Sequence, residues 1–272
     1  MLPAEAPRIG VFDSGIGGLS VLRAVRARLP GAALTYIADT RHTPWGDRPA
    51  AWVTARCQQL AGCLVHAGCD LVLVACNTGT TQAIDALRAS WPRHHVVGVE
   101  PGVKPAVAAS RNGRVAVMAT SGTLRSPRLR SLVDTHGGGS TVVHLPCPGL
   151  VDAIEAADAD PAALADRLDA IAADLHASGA DTVVLGCTHY PLVADALARR
   201  LGPGVVLIDT ADAVARRVQQ LLGTGDGAAT AGSLRLLATD RPAALQQAAG
   251  RWLGGAPKAT LLDLPEAEPP RP

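Results

Sequence analysis

Aromatic side chains are scarce, at 3% of the 272 residues, so any core has to be assembled from Val, Leu, Ile and Ala. Lysine occurs only at Lys104 and Lys258, no block of Lys or Arg is found, and the formal net charge is +1. Nucleic acid and anionic membranes are met by a clustered basic face, so neither is expected as a partner. No apolar stretch reaches the ~18 residues of a membrane span. The opening MLPAEAPRIG lacks the cationic segment and apolar run of a secretory signal. These absences point to a cytoplasmic chain with reduced thiols. None of the 6 cysteines forms a C-x-x-C pair, so each is read as a free thiol, to be explained by burial or by reactivity.

Apolar residues make up 48% and charged ones 18%, a globular composition in a chain long enough for two compact domains. Aliphatic runs recur as IGVF, LTYIA, LVLVA, VVGV, VAVMA, TVVHL, TVVLG and VVLI, and most are followed by a helical pattern. Strands without polar alternation, separated by helices, predict a parallel sheet covered on both faces. The stretch LAGCLVHAGCDLVLVAC then returns downstream as IAADLHASGADTVVLGC, which aligns Leu64 with Leu175, Gly68 with Gly179, Asp70 with Asp181 and Cys76 with Cys187. RIGVFDSGIGGLSVL is echoed more weakly by RVAVMATSGTLRSP. The fold class is therefore α/β, with two similar lobes, each a mainly parallel sheet flanked by helices. The predicted boundaries are 1–100 with 210–258 for the first lobe, 101–209 for the second, and a flexible Pro-rich tail over 259–272.

In open α/β sheets ligands bind beyond the carboxyl ends of the strands. Cys76 and Cys187 stand there, one per lobe, and the repeat predicts that they face an interlobe cleft. Cys57, Cys63 and Cys69 are spaced by six, which puts successive ones on different faces of a helix and builds no metal cluster, and Cys147 in LPCPGL has no polar company, so all four read as small hydrophobes. By contrast, CNT and CTH place donors directly beside the sulfur, where they can hold a carboxylate or stabilise a thiolate. One thiol on each side of a ligand suits proton exchange at a chiral carbon: a base removes the proton from one face and an acid delivers another to the opposite face. A free cysteine is only a few per cent thiolate at pH 7, so the site must bias one member toward ionisation.

The motifs GVFDSGIGGLSVL, PWG, VACNTGTT, GVEPGVKPA, CPGLV with Glu155, and LGCTHYPL, in this order across residues 8 to 222, resemble the glutamate racemase family. The resemblance implies a cofactor-independent isomerase that interconverts L- and D-glutamate and supplies D-glutamate for peptidoglycan. It implies Cys76 and Cys187 as the catalytic pair, with Asp13 beside the first, His189 beside the second and Glu155 as a further acidic member. Substrate contacts carried over from the family fall on Asp13, Ser14, Trp45, Gly46, Asn77, Thr78, Thr188 and His189. Homodimers are common in the family, so the resemblance allows a homodimer here. Two departures stand out: Trp45 occupies a position usually held by tyrosine, and Gly-Thr-Thr after Thr78 replaces an Ala-containing run. At Trp45 an indole that can only donate replaces a hydroxyl.

Other readings compete. GIGGLS after a strand, with Asp39 ending the next one, resembles a dinucleotide-binding turn and its ribose-binding acid, although Ser20 stands at the third glycine position. Cys76, Cys187 and His189 offer three soft metal ligands at a spacing that fits no common zinc pattern. A pyridoxal cofactor would need a lysine, and only Lys104 lies near a helix start. Aspartate racemases also use paired cysteines, and a two-lobed amino-acid sensor would share the cleft without needing two thiols. Asp13 is also suited to cap the turn into the first helix.

Overall fold

The computed structural model describes residues 6–223, 232–255 and 257–266. They divide into two units: the chain up to Val99 together with the chain from Ala211 onward, and Glu100–Thr210. In chain order the first unit runs β1 (Arg8–Asp13), α1 (Leu19–Arg28), β2 (Ala33–Ala38), α2 (Ala50–His66), β3 (Leu71–Val74), α3 (Asn77–Ser90) and β4 (His95–Gly98). The second unit follows with α4 (Val103–Ala109), β5 (Arg114–Ala119), α5 (Ser121–Leu124), α6 (Pro127–His136), β6 (Thr141–Pro146), α7 (Leu150–Glu155), α8 (Pro161–Ser178), β7 (Thr182–Gly186), a 3₁₀ turn over Tyr190–Val193, α9 (Ala194–Leu201) and β8 (Val206–Ile208). The chain re-enters the first unit through α10 (Ala211–Leu222), β9 (Leu234–Ala238), α11 (Pro242–Leu253) and β10 (Ala259–Leu261).

The first sheet has the order β10-β9-β2-β1-β3-β4 and the second β6-β5-β7-β8, and every pairing in both is parallel. With β1 to β4 mapped onto β5 to β8, the second order reproduces the last four strands of the first, β2-β1-β3-β4. The repeat seen in the sequence extends to single contacts. Arg8 and Arg114, each opening the central strand of its sheet, donate to the carbonyls of Ala67 and Ser178 at the end of α2 and α8. Gly68 and Gly179 follow those carbonyls with φ of +78° and +67°, a conformation that L side chains resist. Asp70 and Asp181 then accept from backbone N–H groups, of Arg8 in one case and of Arg111 and Asn112 in the other.

Alternation along the strands sorts the first unit's core into two layers. Ile9, Val11, Leu71 and Leu73 pack with Leu22, Val25, Val214, Val218 and Leu245 from α1, α10 and α11. Phe12, Val72 and Val74 pack on the other face with Cys57, Leu60 and Leu64 of α2 and Ile84 and Leu87 of α3. Gly10 belongs to this second face, and a Cβ there would stand 2.8 Å from Leu64 Cβ, so α2 lies directly on the strand backbone. In the second unit Val115, Val117, Ala119 and Val184 form a core with Val103, Ala106 and Leu129. On the opposite face Ala116, Met118 and Val183 are buried, as are Leu168, Ile171 and Leu175 of α8.

Residues 259–266 depart from the expected tail. Ala259 pairs with Leu236 and Leu261 with Ala238, which supplies hydrogen-bond partners to β9, otherwise an open sheet edge. Beyond the strand, Arg56 and Gln59 of α2 donate to the carbonyls of Pro265 and Glu266. Residues 267–272 of that expected tail lie outside the described residues.

Candidate active site

One residue, Ala75, separates Cys76 from the end of β3, and Cys76 is the N-cap of α3. Its sulfur accepts from the backbone N–H of Gly79 at 3.4 Å, and its thiol lies 3.7 Å from Ser14 Oγ as donor to it. An N–H at a helix start favours an anion, so this setting supports a thiolate. The hydroxyls after Cys76 divide their work. Thr80 donates to the Val74 carbonyl and accepts from Val99 N–H, joining the ends of β3 and β4. Thr81 donates to the Thr78 carbonyl, and Asn77 Nδ2 donates to the Val99 carbonyl.

Asp13 ends β1 and is fully buried. Its Oδ2 accepts the N–H of Gly18 at 2.7 Å, where Gly18 is the N-cap of α1. The residue therefore holds the turn into α1, as a capping acid would, at the same end of the sheet as Cys76. Ser14 Oγ accepts from the Cys76 thiol, and the Gly79 N–H donates to its sulfur.

Cys187 follows β7 in the equivalent place of the second sheet. Its sulfur lies 3.9 Å from His189 Nδ1, and His189 Nε2 lies 2.9 Å from Glu155 Oε1 at the end of α7. His189 is buried. Burial disfavours its charged form, but hydrogen bonding to Cys187 and Glu155 and the charge on both outweigh burial and raise its pKa well above the ordinary histidine range. Thiol, imidazole and carboxylate thus form a line along which a proton can be held. Glu155 is brought to His189 although a third of the second unit's sequence separates them.

Four further cysteines are free thiols. Burial raises the pKa of Cys57, Cys63 and Cys69, and pushes Cys147 up to about 12. They are protonated thiols at neutral pH. Lys104 and Lys258 are both exposed. Among the described residues no three His, Cys, Asp or Glu side chains are grouped to hold a metal ion.

Asp39 and Trp45, both marked in the sequence, meet each other. Asp39, offered as a ribose-binding acid, is fully buried and accepts from Arg56 Nε and Nη2, Trp45 Nε1 and Thr239 Oγ1. A carboxylate so occupied has no room for a ribose, and the Gly-rich turn before α1 loses its dinucleotide partner. Trp45, expected to touch substrate, is 1% exposed and sits among Phe12, Cys57 and Val74. Its single donor is directed to Asp39, and the neighbouring Gly46 is buried as well. Thr78 and Thr188 are buried beside their cysteines. The Gly79 N–H, a partner of the first sulfur, is a backbone donor of the kind a helix start after CNT offers; which residue provides it has no side-chain signature.

The sequence pattern of the Asp/Glu/Hydantoin racemase family matches residues 20–218. A glutamate racemase of Ralstonia nicotianae is 44% identical over 269 residues, covering 98% of this chain and 96% of the relative. A glutamate racemase of Pseudomonas paraeruginosa is 45% identical over 223 residues, covering 82% and 84%. Among solved structures, a glutamate racemase from Bacillus anthracis superposes with a TM-score of 0.86 at 28% identity, over 96% of this chain and 99% of that one. The Escherichia coli glutamate racemase in complex with L-glutamate and the activator UDP-MurNAc-ala superposes with a TM-score of 0.80 at 31% identity, over 95% and 98%.

Proposed function

The chain belongs to the Asp/Glu/Hydantoin racemase family, and from that membership we propose that it interconverts L- and D-glutamate by a two-base mechanism in which Cys76 and Cys187 serve opposite faces of the α-carbon. The carrying observation is that a cysteine with hydrogen-bonding partners of its own stands just beyond the matching strand of each sheet. In one direction a thiolate removes the α-proton while the other thiol delivers a proton to the opposite face, and the two exchange roles in reverse. The Gly79 N–H favours the anionic form of Cys76. The His189 imidazolium, backed by Glu155, does the same for Cys187 and returns its proton. Asp13 sets the start of α1 next to Ser14, and Ser14, Asn77, Thr78, Thr188 and the Gly46 backbone are assigned to the substrate's carboxylates and amine.

Glutamate rather than aspartate is favoured by the similarity of nearly the whole chain to glutamate racemases. In this reading the enzyme works in the cytoplasm without a cofactor and supplies D-glutamate for peptidoglycan, with homodimerisation as an open assembly. The test is loss of optical rotation from D-glutamate without pyridoxal, metal or nucleotide, with D-aspartate run beside it. Cys76→Ala and Cys187→Ala should each abolish racemisation while remaining folded. A constant rotation with the wild-type protein rejects the activity, and full activity in either variant rejects the two-base assignment.

A further inference from the structure

The surroundings of Gly79 make an unusual demand on a helix start. A Cβ built there would stand 3.1 Å from Trp45 Cζ3, 3.3 Å from Cys57 Sγ and 3.3 Å from Val74 Cγ1. The α-carbon therefore already touches a wall of three side chains from three separate segments. Trp45 is the closest member, and it is held from two sides. Its Nε1–H donates to Asp39 at 3.2 Å, and Asp39 is itself clamped by Arg56. The Trp52 ring meets it edge-on, with centroids 6.2 Å apart. A fixed indole thus bears on the residue whose N–H reaches the sulfur of Cys76.

We propose that Trp45 is a positioning residue for the Cys76 sulfur: the pinned indole sets where Gly79 sits, and with it the length and direction of the N–H···S hydrogen bond. The inference rests on the two-base reading above, in which Cys76 exchanges a proton with the substrate. It replaces the direct substrate contact expected for Trp45 with a role exerted through the helix backbone. Interiors packed at this density transmit a shift of a few tenths of an ångström rather than absorbing it, and hydrogen bonds to a charged acceptor weaken steeply as geometry is lost.

The experiment is a pair of substitutions read by steady-state kinetics and by thiol alkylation. Gly79→Ala should lower kcat about tenfold, the scale of one hydrogen bond to an anion, with KM within about twofold of wild type. Adding Trp45→Phe, which withdraws the far indole ring from the new methyl, should recover at least a third of that loss on a logarithmic scale. In a Cys187→Ala background the rate of Cys76 alkylation by iodoacetamide at fixed pH should fall and recover in the same order, and this readout does not depend on racemisation. A double variant no faster than Gly79→Ala, or a Gly79→Ala enzyme with wild-type kcat, overturns the inference. Should Gly79→Ala fail to fold, Trp45→Phe alone decides: reduced kcat at preserved KM supports the role, and unchanged kcat with unchanged alkylation rejects it. A wild-type protein inert toward glutamate would instead reject the activity, leaving the alkylation series to judge the Trp45 contact.

Discussion

His189 is disposed to act as an imidazolium because two neighbours oppose its burial. With Cys187 on Nδ1 and Glu155 on Nε2, both ring nitrogens face groups that favour a proton. Its folded pKa lies above the ordinary value of about 6.5. The stabilisation from the charged ring is therefore fully present below about pH 6.5 and is lost as pH rises through the folded value. Glu155→Gln keeps the shape and removes one of the two supports. The expected outcome is an alkaline limb of kcat/KM displaced to lower pH, with activity above neutrality reduced roughly tenfold per unit of displacement. An unmoved alkaline limb would show that Glu155 does not support the proton on His189. Because the equilibrium between enantiomers is symmetric, kcat/KM must fall equally in both directions.

At the scale of elements, the duplicated unit of helix, glycine turn and strand carries the site. In each copy an arginine from the central strand closes the helix end, a left-handed glycine turns the chain, and an aspartate receives it at the strand start. The two copies differ in how much the aspartate bears. Partial burial opposes ionisation of Asp181, but hydrogen bonds from Ser110 Oγ, the Arg111 and Asn112 N–H groups and Thr182 Oγ1 prevail and bring its pKa down to about 2. Its contribution to stability is thus present above the unfolded value of about 4 and is lost as pH falls toward 2. Thermal melts of Asp181→Asn against wild type should show a gap at pH 6 that narrows by pH 3. A gap of constant size would contradict the assignment. The matching position in the first unit, Asp70, accepts from the Arg8 N–H, so the two copies share the turn and differ in the loops around it.

Across the whole molecule, eight strands and the repeat that relates them could be read from the sequence, because buried parallel strands are unbroken aliphatic runs and the glycine and aspartate positions carry backbone requirements. The last two strands were not legible in the same way. Arg235 interrupts LRLLA, and ATL is short and lies beside a Pro-rich terminus; only the open edge of the sheet explains why they pair. The thiols, His189 and Glu155 could be marked from residue type and resemblance, whereas the direction of Trp45 could not. That orientation depends on Asp39, whose other partners come from α2 and from Thr239 some two hundred residues away. The central claim of the proposal is that two thiols, Cys76 and Cys187, act on one α-carbon from opposite faces. Incubating L-glutamate with the enzyme in deuterium oxide and sampling before equilibrium tests it most directly. The account predicts D-glutamate carrying deuterium at the α-carbon from the first turnovers, while recovered L-glutamate stays unlabelled. Product that retains the original α-proton, or starting material labelled as fast as product forms, would contradict it.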